Sequence, residues 1–545
     1  MRQEAFDAVS LGIMWDRLVS LVAEIVSTLV RTSFSTIVNE SYDLTCVLLD
    51  AEANSIAQGT FSVPVFIGSA PITLRHMLAR YPAETLRPGD VIITNDPWMG
   101  TGHLYDITMV RPVFRKGRIV AYTLSITHLP DVGGSGFGSS AAEVYHEGLR
   151  LPICKLYEEG RLNELLVEII RANVRVPEQV MGDVMANVAC NEVGGRELLA
   201  FMDEYGLDDL ADLSRAIRGQ SEAAMRAKIG ELGRGTYRNR ISVEGFDGPA
   251  EYAVRIDIGA DSVAFDFSGT SGCVRAAVNV PFCYTNAMAL HAIKSLTLPN
   301  IPNNAGSVAP IKVTAPPGCI LNALPPHATG GRHAMGHFVT PLIYGALAQA
   351  APDRVQADSG MMNLVTFQGT RRDGRPFSTI YFAAGGYGAL EGLDGWPTLP
   401  HPSNMAAVPV EVWETLTHTT IEKKHLLPDS GGPGRWRGGL GQEVVLRNDT
   451  GHPLTMLGMG NRTMFPARGM FGGGAGGLRA HAIDGEIVHA KGRHEVAPGQ
   501  RVRIVEAGGG GYGEPRRRDR AALAEDLAQG YVTEAAAREV YGWRG

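Results

Sequence analysis

The sequence predicts an α+β protein, multi-layer and strand-rich, with a helical segment in the N-terminal half and short helices at the C-terminal end. Three observations carry that expectation. Between residues 158 and 232 apolar side chains recur at helical spacing. On either side, short apolar runs of strand length are bounded by Gly, Pro, Asn and Asp. Beyond residue 516 two short stretches return to helical spacing. The chain has 545 residues, 44% of them hydrophobic and 20% charged, which suits a folded protein of several units. The expected division is 1–232, 233–515 and a helical tail at 516–545.

The elements follow in order. Leu18, Leu21, Val22, Ile25 and Leu29 share one face of a helix expected over 14–34. Residues 44–49 read as a buried strand with Asp43 at its mouth. Gly89-Asp90 opens a strand at 91–94. Residues 110–114 and 119–126 flank Arg115-Lys116-Gly117-Arg118 and read as a β-hairpin with a glycine turn. Helices are expected at 162–173, 176–199 and 210–232, and Pro177, Gly182, Gly194 and Gly195 are points where the middle one can break. Strands follow at 252–258 and 262–267, then a helix at 285–296. Residues 299–310 and 325–336 are rich in Pro, Gly and Asn and read as loops. From about 350 to 515, short apolar runs alternate with glycine clusters, which points to β structure with long connections. The tail should hold helices at 519–527 and 533–541.

Composition excludes several function classes. A formal net charge of −7 argues against a nucleic-acid partner; Arg516-Arg517-Arg518 reads as a solvated helix start or a partner contact. Six cysteines lie scattered at 46, 154, 190, 273, 283 and 319 without a CxxC pair, which suits a reducing cytoplasm. Asp16, Arg17, Glu24 and Arg31 interrupt the most apolar long segment, so no membrane span is expected, and no signal peptide is read at the N-terminus. Gly508-Gly509-Gly510-Gly511-Tyr512-Gly513 fits GxGxxG in form. The chain after it is too short and too helical for a dinucleotide fold. No GxxxxGK[ST] or GxSxG occurs, so neither a P-loop nor a serine elbow is present. Cys46 lies in a buried strand and reads as core.

The chemistry concentrates in Asn95-Asp96-Pro97-Trp98-Met99-Gly100-Thr101-Gly102-His103-Leu104-Tyr105-Asp106 and in Thr127-His128-Leu129-Pro130-Asp131-Val132-Gly133-Gly134. His103 precedes the hairpin and His128 follows it, so closing the hairpin brings the two imidazoles together. With Asp43 they supply one carboxylate and two imidazoles, a ligand set suited to Zn, Mn or Fe with a position left for water. Asp106 and Asp131 each lie three residues after a candidate histidine, as further ligands, as orienting partners or as catalytic carboxylates. Gly330-Gly331-Arg332-His333-Ala334-Met335-Gly336-His337 has two histidines four apart, but its glycines favour a loop rather than a metal site.

These residues resemble the hydantoinase B/oxoprolinase family nearly end to end. The resemblance includes Asp43 within Glu40-Ser41-Tyr42-Asp43, the two motifs above, residues 266–271, Asn304-Ala305-Gly306, Gly385-Gly386-Tyr387-Gly388, residues 429–441 and residues 508–515. The family often reads Asn-Asp-Pro-Tyr-His-Gly-Gly-Thr-His-Leu-Pro-Asp, and here Met99 and Tyr105 replace its first histidine and its second proline. Leu129 replaces the second histidine of a His-His-Ala-Asp-Ile-Gly-Gly pattern. The resemblance implies a metal on Asp43, His103 and His128. It also implies a hetero-oligomer with an A-type partner subunit of actin-like ATPase fold, which binds the ATP.

The reading that follows is a B-type subunit of an ATP-dependent hydrolase that opens a small cyclic amide, a hydantoin or a lactam such as 5-oxoproline. A ketone carboxylase of the acetone or acetophenone type is the alternative, and a non-catalytic structural subunit the third. His103 is the expected ligand from the first motif, with Asp96 and Asp106 as supports. Met99 and Tyr105 are expected to bear on substrate preference.

Overall fold

The computed structural model describes residues 6–544. Its mixed architecture is built on an antiparallel seven-stranded sheet in the order β2-β1-β5-β4-β3-β6-β7. The strands are β1 (Leu44–Asp50), β2 (Ser55–Gln58), β3 (Val91–Thr94), β4 (Asp106–Arg115), β5 (Arg118–His128), β6 (Cys154–Glu158) and β7 (Arg161–Leu162). The β4–β5 hairpin is longer than expected at both ends. Its turn, Lys116-Gly117, has φ of 48° and 76°, the positive values that a tight two-residue hairpin turn requires.

One face of this sheet is covered by two long helices, Ala8–Thr32 and Pro177–Glu204. The second is continuous, although its sequence offered places to break. Its glycines serve close packing instead: a Cβ at Gly194 would lie 2.4 Å from Ile25 Cδ1, and one at Gly182 would lie 2.3 Å from the Phe34 ring. Asn187 and Asn191, four apart on this helix, match the period-two row of β5. Asn187 Nδ2 donates to Thr127 Oγ1 at 2.8 Å, Asn191 Nδ2 donates to Ser125 Oγ at 2.7 Å, and Thr123 Oγ1 donates to Asn191 O at 3.0 Å. This polar seam fixes which face of β5 meets the helices. Tyr122, Leu124, Ile126 and His128 therefore turn to the opposite side.

Three further sheets complete the molecule. One holds Gly235–Glu244, Pro249–Ile258, Val263–Asp266 and Ile311–Thr314, the last pair parallel. Another holds Met362–Thr370, Pro376–Ala384, Leu454–Gly458 and Arg493–Val496. The last joins Thr420–Leu426, Gln442–Arg447, Arg501–Val505, Ala480–Ile483 and Glu486–Val488. Helices Glu164–Asn173, Ala211–Gly230 and Phe282–Thr297 fall where sequence periodicity placed them. The main apolar core draws on residues from Ile37 to Ile504, among them Ile229, Leu232 and Ile241. The tail helices Arg520–Ala528 and Glu534–Glu539 have a small core of their own, made of Leu523, Val532, Ala537 and Tyr541. Among the described residues no helix is long and apolar enough to cross a membrane.

Residues 325–336, expected as a loop, contain the short helix Arg332–Gly336. The glycine-rich stretches near 386, 432–441, 469–477 and 508–513 form no long strands. They pack backbone on backbone and are cross-linked by Gly432 N to Gly509 O, Gly509 N to Gly439 O and Gly439 N to Tyr387 O, at 2.7, 2.9 and 2.8 Å. Gly508 to Gly511 are buried, and a Cβ at Gly508 would lie 1.6 Å from Ser430 O. The GxGxxG string is therefore a packing motif. Gly508→Ala should lower stability by about 3 kcal/mol, the upper range for forcing a group into a filled interior. Gly219, exposed on helix Ala211–Gly230 with nothing near its Cβ position, should instead gain about 0.5–1 kcal/mol on substitution by Ala. Urea midpoints of the two variants check the contrast.

Candidate metal centre

Strand register places three of the site's side chains in a row. Asp106 on β4 pairs with His128 on β5. Leu44 on β1 pairs with Thr127, which brings Asp43 level with His128, and His128 N donates to Asp43 O at 3.1 Å. Residues opposite one another in an antiparallel ladder share a face. Asp43, His128 and Asp106 thus line up across three strand ends, on the face turned away from the helices. His103 reaches the same spot from the loop before β4.

All four side chains are buried. His103 Nε2 lies 2.8 Å from Asp106 Oδ1, and His128 Nδ1 lies 3.5 Å from Asp106 Oδ1 and 3.6 Å from Asp43 Oδ2. Ligand atoms of His103, Asp106 and His128 all fall within 4.8 Å of one another. The short approach of His103 to Asp106 does not have hydrogen-bond geometry, and Nε2 of both histidines is without a hydrogen-bond partner. Buried nitrogens are normally satisfied. Donor atoms crowded together without bonding each other suit co-ligands of one ion, which stand about 3–3.4 Å apart when each is about 2.1 Å from it.

The surroundings prepare each group. His103 Nδ1 lies 2.9 Å from Gly330 O. A carbonyl only accepts, so Nδ1 carries the hydrogen and Nε2 presents its lone pair, the second partner that orients a ligating imidazole. Gly330 is itself held by Glu147, whose Oε1 accepts the N–H groups of Thr329, at 2.8 Å, and Gly330. Asp106 is divided between two tasks. Its Oδ2 accepts Thr101 Oγ1 at 2.5 Å and Arg332 Nη2 at 2.6 Å, which leaves Oδ1 to the histidines. Arg332 Nε also donates to Thr101 O at 2.8 Å. Gly102, with φ of 105°, lets the guanidinium pass where a Cβ would be 2.7 Å from Arg332 Cδ.

Burial and Arg332 push the His103 imidazole down to about 4. Against the cost of burial, His103 and Arg332 hold the Asp106 carboxyl well below the usual range. Burial raises Asp43 to about 6, although His128 opposes it. Neutral imidazole beside ionised carboxylate is the state that binds a divalent cation, so the residues present fit such an ion.

A narrow cavity of about 30 Å³ adjoins the group, lined also by Val63, Val65, Phe137, Tyr284, Met362 and Leu364. It has room for about two waters at roughly 10–15 Å³ each. Arg332, His333, His337, Ser403 and Met405 line it as well. The histidine pair, expected in a loop, lies on and just after the helix Arg332–Gly336. The signal in the sequence is the side-by-side Arg332-His333, with His337 one turn on.

Asp131 is not brought to the group. It falls beyond the end of β5, where the chain leaves the sheet. Its carboxylate accepts Arg175 Nη1 at 2.7 Å, the Arg175 backbone N–H and Gly133 N, which ties this loop to the start of the long helix. Asp96 shapes its own loop, capping Trp98 N at 2.9 Å and Met99 N at 3.2 Å and pairing with Arg150. Tyr105 lies beneath the site, stacked on His128 with ring centroids 5.3 Å apart. Met99 faces a separate surface groove beside Arg80 and Arg150.

Comparison with known proteins gives a consistent result. The family model for hydantoinase B/oxoprolinase matches residues 7–515. A protein of Pseudomonas sp. strain NS671, named as the B component of a D-/L-hydantoinase, is 28% identical over 98% of this chain and 95% of its own. The beta chain of the caprolactamase of Pseudomonas jessenii is 29% identical over 98% and 96%. The crystal structure of the ATP-dependent caprolactamase from that organism superposes with a TM-score of 0.91 at 27% identity, covering 99% of this chain and 96% of that one. A nucleotide-free acetone carboxylase shares the fold, with a TM-score of 0.88 at 19% identity over 97% of this chain and 79% of that one.

Glu147 yields a prediction that needs no ligand. Burial, against the pull of the Gly330 and Thr329 N–H groups, pushes its carboxyl from 4.5 up to about 8. An acid raised on folding favours the protonated native state. Its contribution is full below pH 4.5 and is lost as the pH rises through about 8. Glu147→Gln cannot ionise and keeps an accepting oxygen. Its stability relative to the parent protein should therefore climb between pH 4.5 and 8 and level off above. Urea midpoints of both proteins across that range check it, and a constant difference would mean that Glu147 is ionised in the folded state.

Proposed function

The chain belongs to the hydantoinase B/oxoprolinase family, and from that premise we propose that it is the metal-carrying B-type subunit of an ATP-dependent hydrolase that opens a small cyclic amide. A partner subunit of the A type would bind the ATP, and the pair would work as a cytoplasmic hetero-oligomer. The observation that carries this reading is the end-to-end likeness to an ATP-dependent caprolactamase, together with the buried group that the four side chains form.

His103, His128 and Asp106, with Asp43 beside them, would hold a divalent ion such as Zn, Mn or Fe. Such an ion, when bound, polarises a carbonyl and makes water a better nucleophile. The chain's own residues do the rest. Gly330 O fixes the tautomer of His103. Arg332 holds the far oxygen of Asp106 and keeps the carboxylate ionised. Phe137 packs against both imidazoles, with ring centroids 5.7 and 4.8 Å away, and keeps bulk water from that side. Met362 and Met405 line the cavity, and unbranched, flexible side chains of this kind can yield to an entering ring. Asp131 has a structural part in this scheme, because Arg175 engages its carboxylate.

A second reading, carboxylation of a small ketone, draws on the tightness of the cavity, which suits a substrate smaller than a lactam. The test separates the two. The chain is co-expressed with its A-type partner, and ATP turnover is measured with caprolactam, hydantoin or 5-oxoproline, and with acetone plus bicarbonate. Stimulation by a cyclic amide with release of the ring-opened acid is expected; stimulation by ketone and bicarbonate alone would sink the hydrolase reading. His103→Ala should remain folded, lose its bound ion by elemental analysis and lose more than about a hundredfold in turnover, the scale reached on removing even an outer partner of a metal ligand. Unchanged metal content would remove His103 from the ligand set.

A further inference from the structure

One side chain of the cavity has no task in the scheme above. His333 is 5% exposed and lines the cavity, and its Nε2 has no hydrogen-bond partner. It does not belong to the group of converging ligand atoms, which is His103, Asp106 and His128. The Phe137 ring serves all three histidines, lying 5.9 Å from His333 as well, so the cluster and His333 address the same space.

His333 is also held rigidly. It sits on helix Arg332–Gly336, which is pinned by Arg332 to Asp106 and Thr101, by Tyr252 Oη donating to Met335 O at 3.2 Å, and by Asn461 Nδ2 donating to Ala334 O. A Cβ at Gly336 would be 2.3 Å from the Tyr284 ring. Such fixing is what a substrate-contacting group requires. Two neighbouring donors on the cavity wall are already engaged. Arg332 gives Nε and Nη2 to Thr101 O and Asp106 Oδ2, and Ser403 Oγ points to Met362 Sδ at 3.2 Å. His337 lines the cavity as well, against Tyr284 with ring centroids 6.3 Å apart. Burial, with His337 and Arg332 nearby, holds His333 well below its ordinary value. It is therefore neutral near pH 7, with one N–H to donate.

We propose that His333 is a substrate-contacting hydrogen-bond donor of this cavity, binding the carbonyl oxygen of the ring amide in the space that it shares with His103, Asp106 and His128. The inference rests on the function proposed above. A carbonyl oxygen accepts hydrogen bonds and cannot donate, and a neutral imidazole N–H supplies one without protonating the substrate. A buried donor left unpaired by the protein is the kind of group that discriminates for a ligand able to pair with it.

The experiment uses the complex with its A-type partner, and calorimetric binding of caprolactam, hydantoin and 5-oxoproline is measured beside metal content. His333→Leu should keep the metal stoichiometry of the parent complex and weaken amide binding by about tenfold or more. His333→Gln, which retains an N–H donor, should recover part of the loss. Parent-like binding by both variants would overturn the proposal and leave the proposed function standing. Loss of the ion from His333→Gln would also overturn it, because His333 would then belong to the metal site. If the parent complex binds none of the three amides and turns none of them over, the proposed function falls, and this inference with it.

Discussion

The register of three antiparallel strand ends sets everything at this site. A slip of one residue between β5 and either neighbour would send Asp43 or Asp106 to the opposite face of the sheet, among the helices. Several features hold the pairing in place. The Lys116-Gly117 turn fixes β4 against β5. Asn187 and Asn191 bond to Thr127 and Ser125, so one face of β5 is reserved for the helix. Gly194 lets that helix sit close to its neighbour. The helical layer lies behind the sheet and contributes no side chain to the site, yet it determines which side chains of β5 face forward.

In the absence of a ligand the arrangement is electrostatically costly. Two imidazole nitrogens are buried without partners, each at a cost of about 1–3 kcal/mol. Burial pushes Asp43 to about 6. Arg332 offsets only part of this, since it engages one oxygen of Asp106 and leaves the other facing the histidines. A divalent cation on the proposed ligands would give His103 Nε2 a partner and offset the burial of the Asp43 and Asp106 carboxylates. Unpartnered imidazole nitrogens gathered beside buried carboxylates are the pattern of a site built for a ligand.

Much of this was legible in the sequence, and the parts that were not have physical reasons. The hairpin joining His103 to His128 could be read because a glycine turn between two β-branched runs is a local signal. Asp43 could be read as a strand-mouth residue, but its place beside His128 depends on β1 pairing with β5 across some 80 residues of chain, and no local pattern encodes that. Asp131 was grouped with Asp106 because both follow a histidine by three. The structure separates them: Asp106 opens β4 directly opposite His128, whereas Asp131 lies past the sheet and meets Arg175. The glycines around Arg332 and His333 suggested a loop. A short helix forms there because its packing against Tyr252, Tyr284 and Asn461 outweighs weak local propensity. The same misreading of glycine, as flexibility rather than close approach, explains why Gly182 and Gly194 looked like helix breaks.

The central claim is that these four side chains surround one divalent ion. X-ray absorption at the edge of whatever metal co-purifies with the chain tests it most directly. The expected spectrum shows a first coordination shell of nitrogen and oxygen without sulfur, with the outer-shell scattering of two imidazoles, which falls to that of one in His128→Ala. A shell containing sulfur, or an imidazole count unmoved by that substitution, would contradict it.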